Sequence, residues 1–294
     1  MKRAMTIAID YLISIQEPDG SWRDYCLPVG ESDQWVTAFT ALGVFQASRK
    51  LDYDKGIDAS DRAAKFLKDF QEYSSGWGYN RQTGIDADST AHVIRLLREL
   101  NLKVDQKDED CLIRHYDGSG AFRTYCIDSE WGSPHPDVTA ASGLALKDDV
   151  LCLFREDLIK YCKAVRLPDG AWPTYWWRNH QYGTFYVLEL LERMDEKVPL
   201  DPKTMEVKIQ SCFDLAWSIG IISFLKADSL PIDRPIQILM DLQEISGAWP
   251  GSPSLRVTDP ECKKPWISSQ GDYYTDINST ITTSSVLRVL SRLL

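Results

Sequence analysis

One twelve-residue pattern recurs along the chain and restricts what it can fold into. YLISIQEPDGSW at 11–22, FLKDFQEYSSGW at 66–77, YCKAVRLPDGAW at 161–172 and ILMDLQEISGAW at 238–249 all end in Trp. CLIRHYDGSGAF at 111–122 is a weaker copy with Phe122 in the Trp place. The gap between 172 and 238 is wide enough for one further, degenerate unit. In each copy an apolar helical stretch leads into the turn, in three of them ending near a Gln, and Gly then allows a turn that a side chain would strain. The aromatic that follows can fold back over the helix end while Gln bonds the free backbone groups there. Such a unit is a staple between neighbouring helices, and a repeated unit of this length points to a repeat architecture.

After each turn comes a polar loop and a second helix of different character. QWVTAFTALGVF (34–45), DSTAHVIRLL (88–97), DVTAASGLAL (137–146), QYGTFYVLELL (181–191), FDLAWSIGIISFL (213–225) and STITTSSVLRVL (279–290) are apolar on more than one side, which marks buried helices. The helices that enter the turns are amphipathic: AMTIAIDYLISI carries Asp10 and Ser14. Outer and inner helices thus alternate about six times, with sparse strand signals. We expect an all-α chain forming one domain over 1–294, a single (α/α)6 barrel or toroid. Its last segment should close the ring against the first helix pair. The inner-helix N-termini then converge on one mouth, with the loops 23–34, 78–87, 123–136, 173–181 and 250–278.

Composition narrows the function. A net charge of -10 with no block of like charge reads as a solvated surface and argues against nucleic acid as a partner. Seven scattered cysteines form no CxxC pair, as expected of reduced thiols in a cytoplasmic protein. No apolar run is long enough to span a membrane.

At the mouth, the stretch GIDADSTAHVIRLL (84–97) puts Asp86 and Asp88 at the start of an inner helix. Two carboxylates this close can share a proton, which raises one pKa. Asp88 reads equally as an N-cap, since Asp and Ser favour that position and the helix dipole favours a negative charge. Trp35, Trp176, Trp177, Tyr182, Phe185, Tyr186 and Trp217 are candidate lining residues whose ring faces could stabilise a cation. His92, four residues after Asp88, lies on the same helix face and could tune the acid.

The repeat resembles the QW motif of squalene–hopene cyclases and related class II terpene cyclases, whose α/α toroid also occurs in the β subunits of protein prenyltransferases. Class II cyclases carry a DxDD(T) motif whose middle acid protonates an alkene or epoxide. Asp86-Ala87-Asp88-Ser89-Thr90 matches it with Ser89 in place of the last Asp. The resemblance implies Asp88 as general acid, Asp86 as its helper and an isoprenoid or other hydrophobic small molecule as substrate. It requires no cofactor for the proton step, and Mg²⁺ only if the substrate is a diphosphate, for which Arg81, Arg123 and Arg178 are candidate partners. The larger cyclases use two toroids, whereas this length supplies one. Prenyltransferase β subunits hold zinc through an Asp-x-Cys pair that here reads Asp86-x-Asp88, so no metal site is expected. The alternatives are a non-catalytic or accessory toroid that binds a lipid or peptide, and a prenyltransferase β-like protein that needs a protein partner.

Overall fold

The five staples found in the sequence form as hydrogen-bonded units. Each indole N–H donates to a main-chain carbonyl ten residues earlier: Trp22 to Leu12 at 2.7 Å, Trp77 to Leu67 at 2.8 Å, Trp172 to Cys162 at 2.7 Å and Trp249 to Leu239 at 2.6 Å. These carbonyls belong to the last turn or two of each outer helix, where acceptors lack intrahelical partners. The main-chain N–H of the same residues donates to a threonine of the following inner helix: Trp22 to Thr37, Trp77 to Thr90, Phe122 to Thr139, Trp172 to Thr184 and Trp249 to Thr283. The weak copy lacks the indole yet keeps the threonine bond. The staple therefore fixes an outer helix to its own inner helix, and that threonine is a part of the repeat that sequence reading overlooked.

This computed structural model describes residues 1–70, 75–200, 210–224, 232–268 and 270–294. Among them run α1 (Lys2–Ser14), β1 (Asp24–Leu27), β2 (Gly30–Ser32), α2 (Trp35–Leu51), α3 (Asp54–Asp69), α4 (Ala87–Glu99), α5 (Gln106–Arg114), α6 (Pro136–Ala145), α7 (Asp148–Ala164), α8 (Gln181–Arg193), α9 (Cys212–Ile222), α10 (Asp233–Asp241), β3 (Pro253–Val257), α11 (Pro265–Ser268), β4 (Asp272–Thr275) and α12 (Thr280–Leu293). The chain is mostly helical. The degenerate unit expected in the 172–238 gap would carry an outer helix ahead of α9; residues 201–209 and 225–231 there lie outside the described residues.

Burial separates two kinds of helix. α1 buries Met5, Ala8, Ile9 and Leu12, the i, i+3, i+4, i+7 stripe of a helix with one covered face. All ten residues of α6 are buried, and α2 is buried almost throughout. The buried helices touch one another in a closed cycle: α2 with α4, α4 with α6, α6 with α8, α8 with α9, α9 with α12, and α12 back to α2. Close approach at the last seam depends on small residues. A Cβ on Gly43 would lie 2.3 Å from Ser284 Oγ, and Ser284 donates to the Phe39 carbonyl at 3.2 Å.

The outer layer closes as well. Gln243, in the last staple, donates to the carbonyl of Ala4 in α1 at 2.9 Å and to Gly247 at 2.8 Å, the same pattern by which Gln16 joins Ala59 and Gly20. In the fourth copy Arg166 takes over, donating to Gly170 at 2.9 Å and Pro199 at 2.8 Å. Sparse strand signals understate the mouth, where two antiparallel hairpins form, β1–β2 and β3–β4. No helix among the described residues is long and apolar enough to cross a membrane. All seven cysteines are free thiols.

Gly247 has φ +96, and a Cβ there would meet the Ile7 carbonyl oxygen at 2.6 Å. Gly118 has φ +83 with nothing within 4 Å of the same added atom. Gly118→Ala should therefore cost only the left-handed backbone strain, about 1–2 kcal/mol. Gly247→Ala should cost clearly more, because main chain of α1 has to move. Urea unfolding of the two variants compares them, and equal losses would refute the tight closure between the last staple and α1.

Candidate active site

The hairpins and loops at the N-terminal ends of the buried helices enclose a cavity of about 670 Å³, within the range of roughly 300–1,000 Å³ typical of small-molecule sites. Trp35, Trp131, Trp176 and Trp177 line it together with Tyr79 and Tyr125, and Asp86 and Asp88 open onto it from the start of α4.

The two acids divide the roles that sequence left open at Asp88. Asp86 is the N-cap of α4. Its backbone is extended (φ -132, ψ 158), and its carboxylate accepts from Ser89 N at 2.7 Å and Ser89 Oγ at 2.8 Å. Ser89 thus spends its hydroxyl on the cap. Asp88 lies in the first turn and is free of capping duty. Its Oδ2 accepts a single hydrogen bond, from Trp35 Nε1 at 2.8 Å, and 18 % of its side chain remains open, toward the cavity.

Electrostatics follow from this difference. Burial pushes Asp86 up to about 6, with its Ser89 bonds opposing the shift. Burial raises Asp88 well above the usual carboxylate range, and the charges of Asp86 and Asp137 add to that; only the Trp35 bond opposes it. Of the two, Asp88 is the one that keeps a proton near neutral pH. Because Oδ2 accepts from Trp35, that proton belongs on Oδ1. His92 Nε2 lies 3.6 Å from Oδ1 and 3.3 Å from the Tyr182 hydroxyl. Burial, then the Arg288 and Arg95 charges, hold His92 well below its ordinary pKa, so the imidazole is neutral and does not compete to hold the proton as imidazolium.

Asp137 enters this group from α6. It is buried, its carboxyl oxygens make no hydrogen bond of normal geometry, and its nearest donors include its own and the Val138 backbone N–H. Burial pushes it up to about 6. Asp137 is thus a third carboxyl whose charge acts on Asp88, supplied by the neighbouring helix. With one acid in PDVTA rather than two, Asp137 carries no paired-acid signal in the sequence.

Among the expected lining residues, the structure brings Trp35, Trp176 and Trp177 to the cavity wall. It does not bring Tyr182, Phe185, Tyr186, Trp217 or His92 there. These are 0–1 % exposed and pack beneath it: Trp177 on Tyr182 at 4.4 Å between ring centroids, Tyr182 on Tyr186 at 4.4 Å, and Phe185 on Trp217 at 4.8 Å. They are the floor. Apart from Tyr182, which Trp177 covers, they sit about one turn or more below the helix starts. Tyr79, Tyr125, Trp131, Leu255 and Val257 were missed as lining residues; their only signal was membership of a mouth loop. Nor do the candidate diphosphate partners reach the cavity. Arg81 pairs with Asp33 at 2.8 Å and lies 3.8 Å over the Phe70 ring, Arg178 lies over the Tyr273 ring, and Arg123 is absent from the lining. No group of three or more candidate metal ligands occurs among the described residues.

No family model matches the chain, and no curated protein matches it by sequence. Solved structures do. A type II terpene cyclase from Scytonema, MstE, superposes with a TM-score of 0.82 at 24 % identity over 98 % of this chain and 96 % of its own. Variants of that enzyme have been solved with geranylgeranyl dihydroxybenzoate as substrate and merosterolic acid A as product. A protein from Actinoplanes matches with a TM-score of 0.81 at 25 % identity over 99 % of both chains. An α-1,6-mannanase from Salegentibacter matches more distantly, with a TM-score of 0.62 at 8 % identity over 100 % of this chain and 99 % of its own. The chain therefore shares the fold of a type II terpene cyclase, and the mannanase shows that related helical frameworks carry other chemistry.

Asp137→Asn tests the coupling of the three acids. A carboxyl whose folded pKa is raised contributes stability below its unfolded value, near 3.8, and loses it as pH rises through about 6. The variant should match the parent near pH 4 and exceed it at pH 8 by on the order of 2–3 kcal/mol, because no buried carboxylate has to ionise. Chemical denaturation at the two pH values measures this; an unchanged difference would disprove the buried charge.

Proposed function

We propose that residues 1–294 form one (α/α)6 barrel domain and that the chain is a class II-type terpene cyclase. The closed cycle of buried helices inside a stapled outer layer, together with the MstE likeness, supports the barrel. One observation carries the activity: Asp88 is a carboxyl raised by burial, held by a single indole donor and opening into a cavity walled by aromatic rings.

In this reading Asp88 is the general acid. A prenyl chain enters the mouth and places a terminal alkene or epoxide against Oδ1. The alkene π pair takes the Oδ1 proton and leaves a tertiary carbocation; with an epoxide, an oxygen lone pair takes the proton and the C–O bond then breaks with its electron pair going to oxygen, leaving a hydroxyl and a tertiary carbocation. Internal alkenes attack it in turn. The Trp35, Trp176 and Trp177 faces stabilise positive charge without supplying a nucleophile, and the last cation loses a proton to water or is captured by it. The burial that keeps Asp88 protonated also strengthens its attraction to the cation once the proton has left, while Trp35 Nε1–H stabilises the new carboxylate. Asp86 fixes the helix start and its charge keeps the proton on Asp88. The proton step needs no metal or redox cofactor. The MstE substrate, geranylgeranyl dihydroxybenzoate, supports an isoprenoid substrate here.

A binding toroid without chemistry is the second reading, and the filled floor favours it, since the buried rings of Tyr182, Phe185, Tyr186 and Trp217 leave no room directly beneath Asp88. Turnover of polyprenyl substrates by Asp88→Asn and Trp35→Phe separates the two. Loss of the acid should cost about 10²–10⁴ in rate with binding retained. Loss of the indole donor should cost about 10–100-fold, from a hydrogen bond to a charged group. Full turnover by Asp88→Asn would remove Asp88 from the mechanism.

A further inference from the structure

The wall of the mouth cavity has a one-sided charge. Four aspartates line it, Asp86, Asp88, Asp259 and Asp272, and no Lys, Arg or His does among the described residues. Asp259 and Asp272 are exposed at the entrance, on the segments that lead out of β3 and into β4. The nearby guanidinium groups are committed elsewhere. Arg256, on β3, is 1 % exposed and donates to the Tyr175 carbonyl at 3.0 Å and the Thr174 carbonyl at 2.6 Å. Arg178 lies over the Tyr273 ring at 5.1 Å, and Arg81 pairs with Asp33. A phosphate or carboxylate head would have to cross two exposed carboxylates and would find no side-chain cation inside, while anion recognition depends on Arg or Lys donors. Asp259 Oδ1 accepts from Glu261 N at 2.8 Å, and the exposed carboxylate oxygens that remain at the rim suit a head that donates hydrogen bonds.

We propose that the substrate is a prenyl chain whose head carries no negative charge and offers hydrogen-bond donors, such as an alcohol, phenol or amine. This rests on the cyclase reading above and adds a restriction that the fold does not impose. The prenyl tail occupies the aromatic wall beside Asp88, and the head stays at the entrance between Asp259 and Asp272. Selectivity there is electrostatic, so it weakens with salt.

The test compares binding of three heads on one chain. Geranylgeraniol, geranylgeranylamine and geranylgeranyl diphosphate are titrated below their micellar concentrations into Asp88→Asn protein, with the quenching of tryptophan fluorescence as readout, with and without Mg²⁺. The alcohol and the amine should bind at least tenfold more tightly than the diphosphate at low salt, and the gap should narrow as salt rises. In a second variant, Asp259→Asn with Asp272→Asn, diphosphate binding should strengthen severalfold and amine binding should weaken, so that the gap between the charged heads narrows or reverses. Diphosphate binding as tight as that of the alcohol, with or without Mg²⁺, would overturn the head-group inference and leave the cyclase reading standing. Failure of all three ligands to bind would overturn the isoprenoid site itself, and this inference with it.

Discussion

An indole N–H bonded to a carbonyl ten residues earlier is the interaction on which the ring depends. Each bond satisfies an acceptor that a helix end would otherwise leave open, and it does so away from water, where an unmade hydrogen bond is costly. Because the same residue also donates its main-chain N–H to a threonine of the next inner helix, each tryptophan ties two layers at once. Gln16 and Gln243 add the tie to the next outer helix. Closure is then a local geometry repeated, with the last tie landing on α1.

The ring decides where chemistry can happen. Buried helices in a cycle bring their N-termini together, and N-termini attract acids because of unbonded N–H groups and the helix dipole. Most acids at such positions are stabilised as anions, as Asp86 is by Ser89. Asp88 sits one step further along, past the cap, where the donors are already committed to the helix. Desolvation acts on it with little opposition. A cap and a carboxyl raised by burial are therefore produced by two residues two positions apart, and the helix itself separates their environments.

The repeat, the alternation of outer and inner helices and the position of the mouth were legible in the sequence because each has a local signature. The division of labour between Asp86 and Asp88 was not, since it depends on which residue takes the extended backbone at the cap. Nor was the boundary between wall and floor. His92 has the helical spacing that puts it on the Asp88 face, but one turn deeper it meets the Phe39 and Tyr186 rings, at 5.3 and 5.7 Å between centroids, instead of the cavity. Asp137 became significant only through the packing of α6 against α4, a contact between residues 49 positions apart in sequence.

The packed floor of Tyr182, Phe185, Tyr186 and Trp217 separates the mouth cavity from the one at the opposite ends of the same helices, so the depth of the mouth has to be built above the helix starts. The elements that build it are the ones the helical repeat did not announce, β1–β2 and β3–β4. They carry Leu27, Leu255, Val257 and Tyr274 to the cavity and complete a wall whose other side is Trp35, Trp176 and Trp177. The Arg256 side chain anchors β3 to the 174–175 carbonyls from behind, and Trp177 bridges to Leu255, so wall and floor are one packed unit. The hairpins also bring Asp272 to the entrance, and the segment following β3 brings Asp259, so the part of the chain that gives the cavity its depth is also the part that sets the charge of its rim.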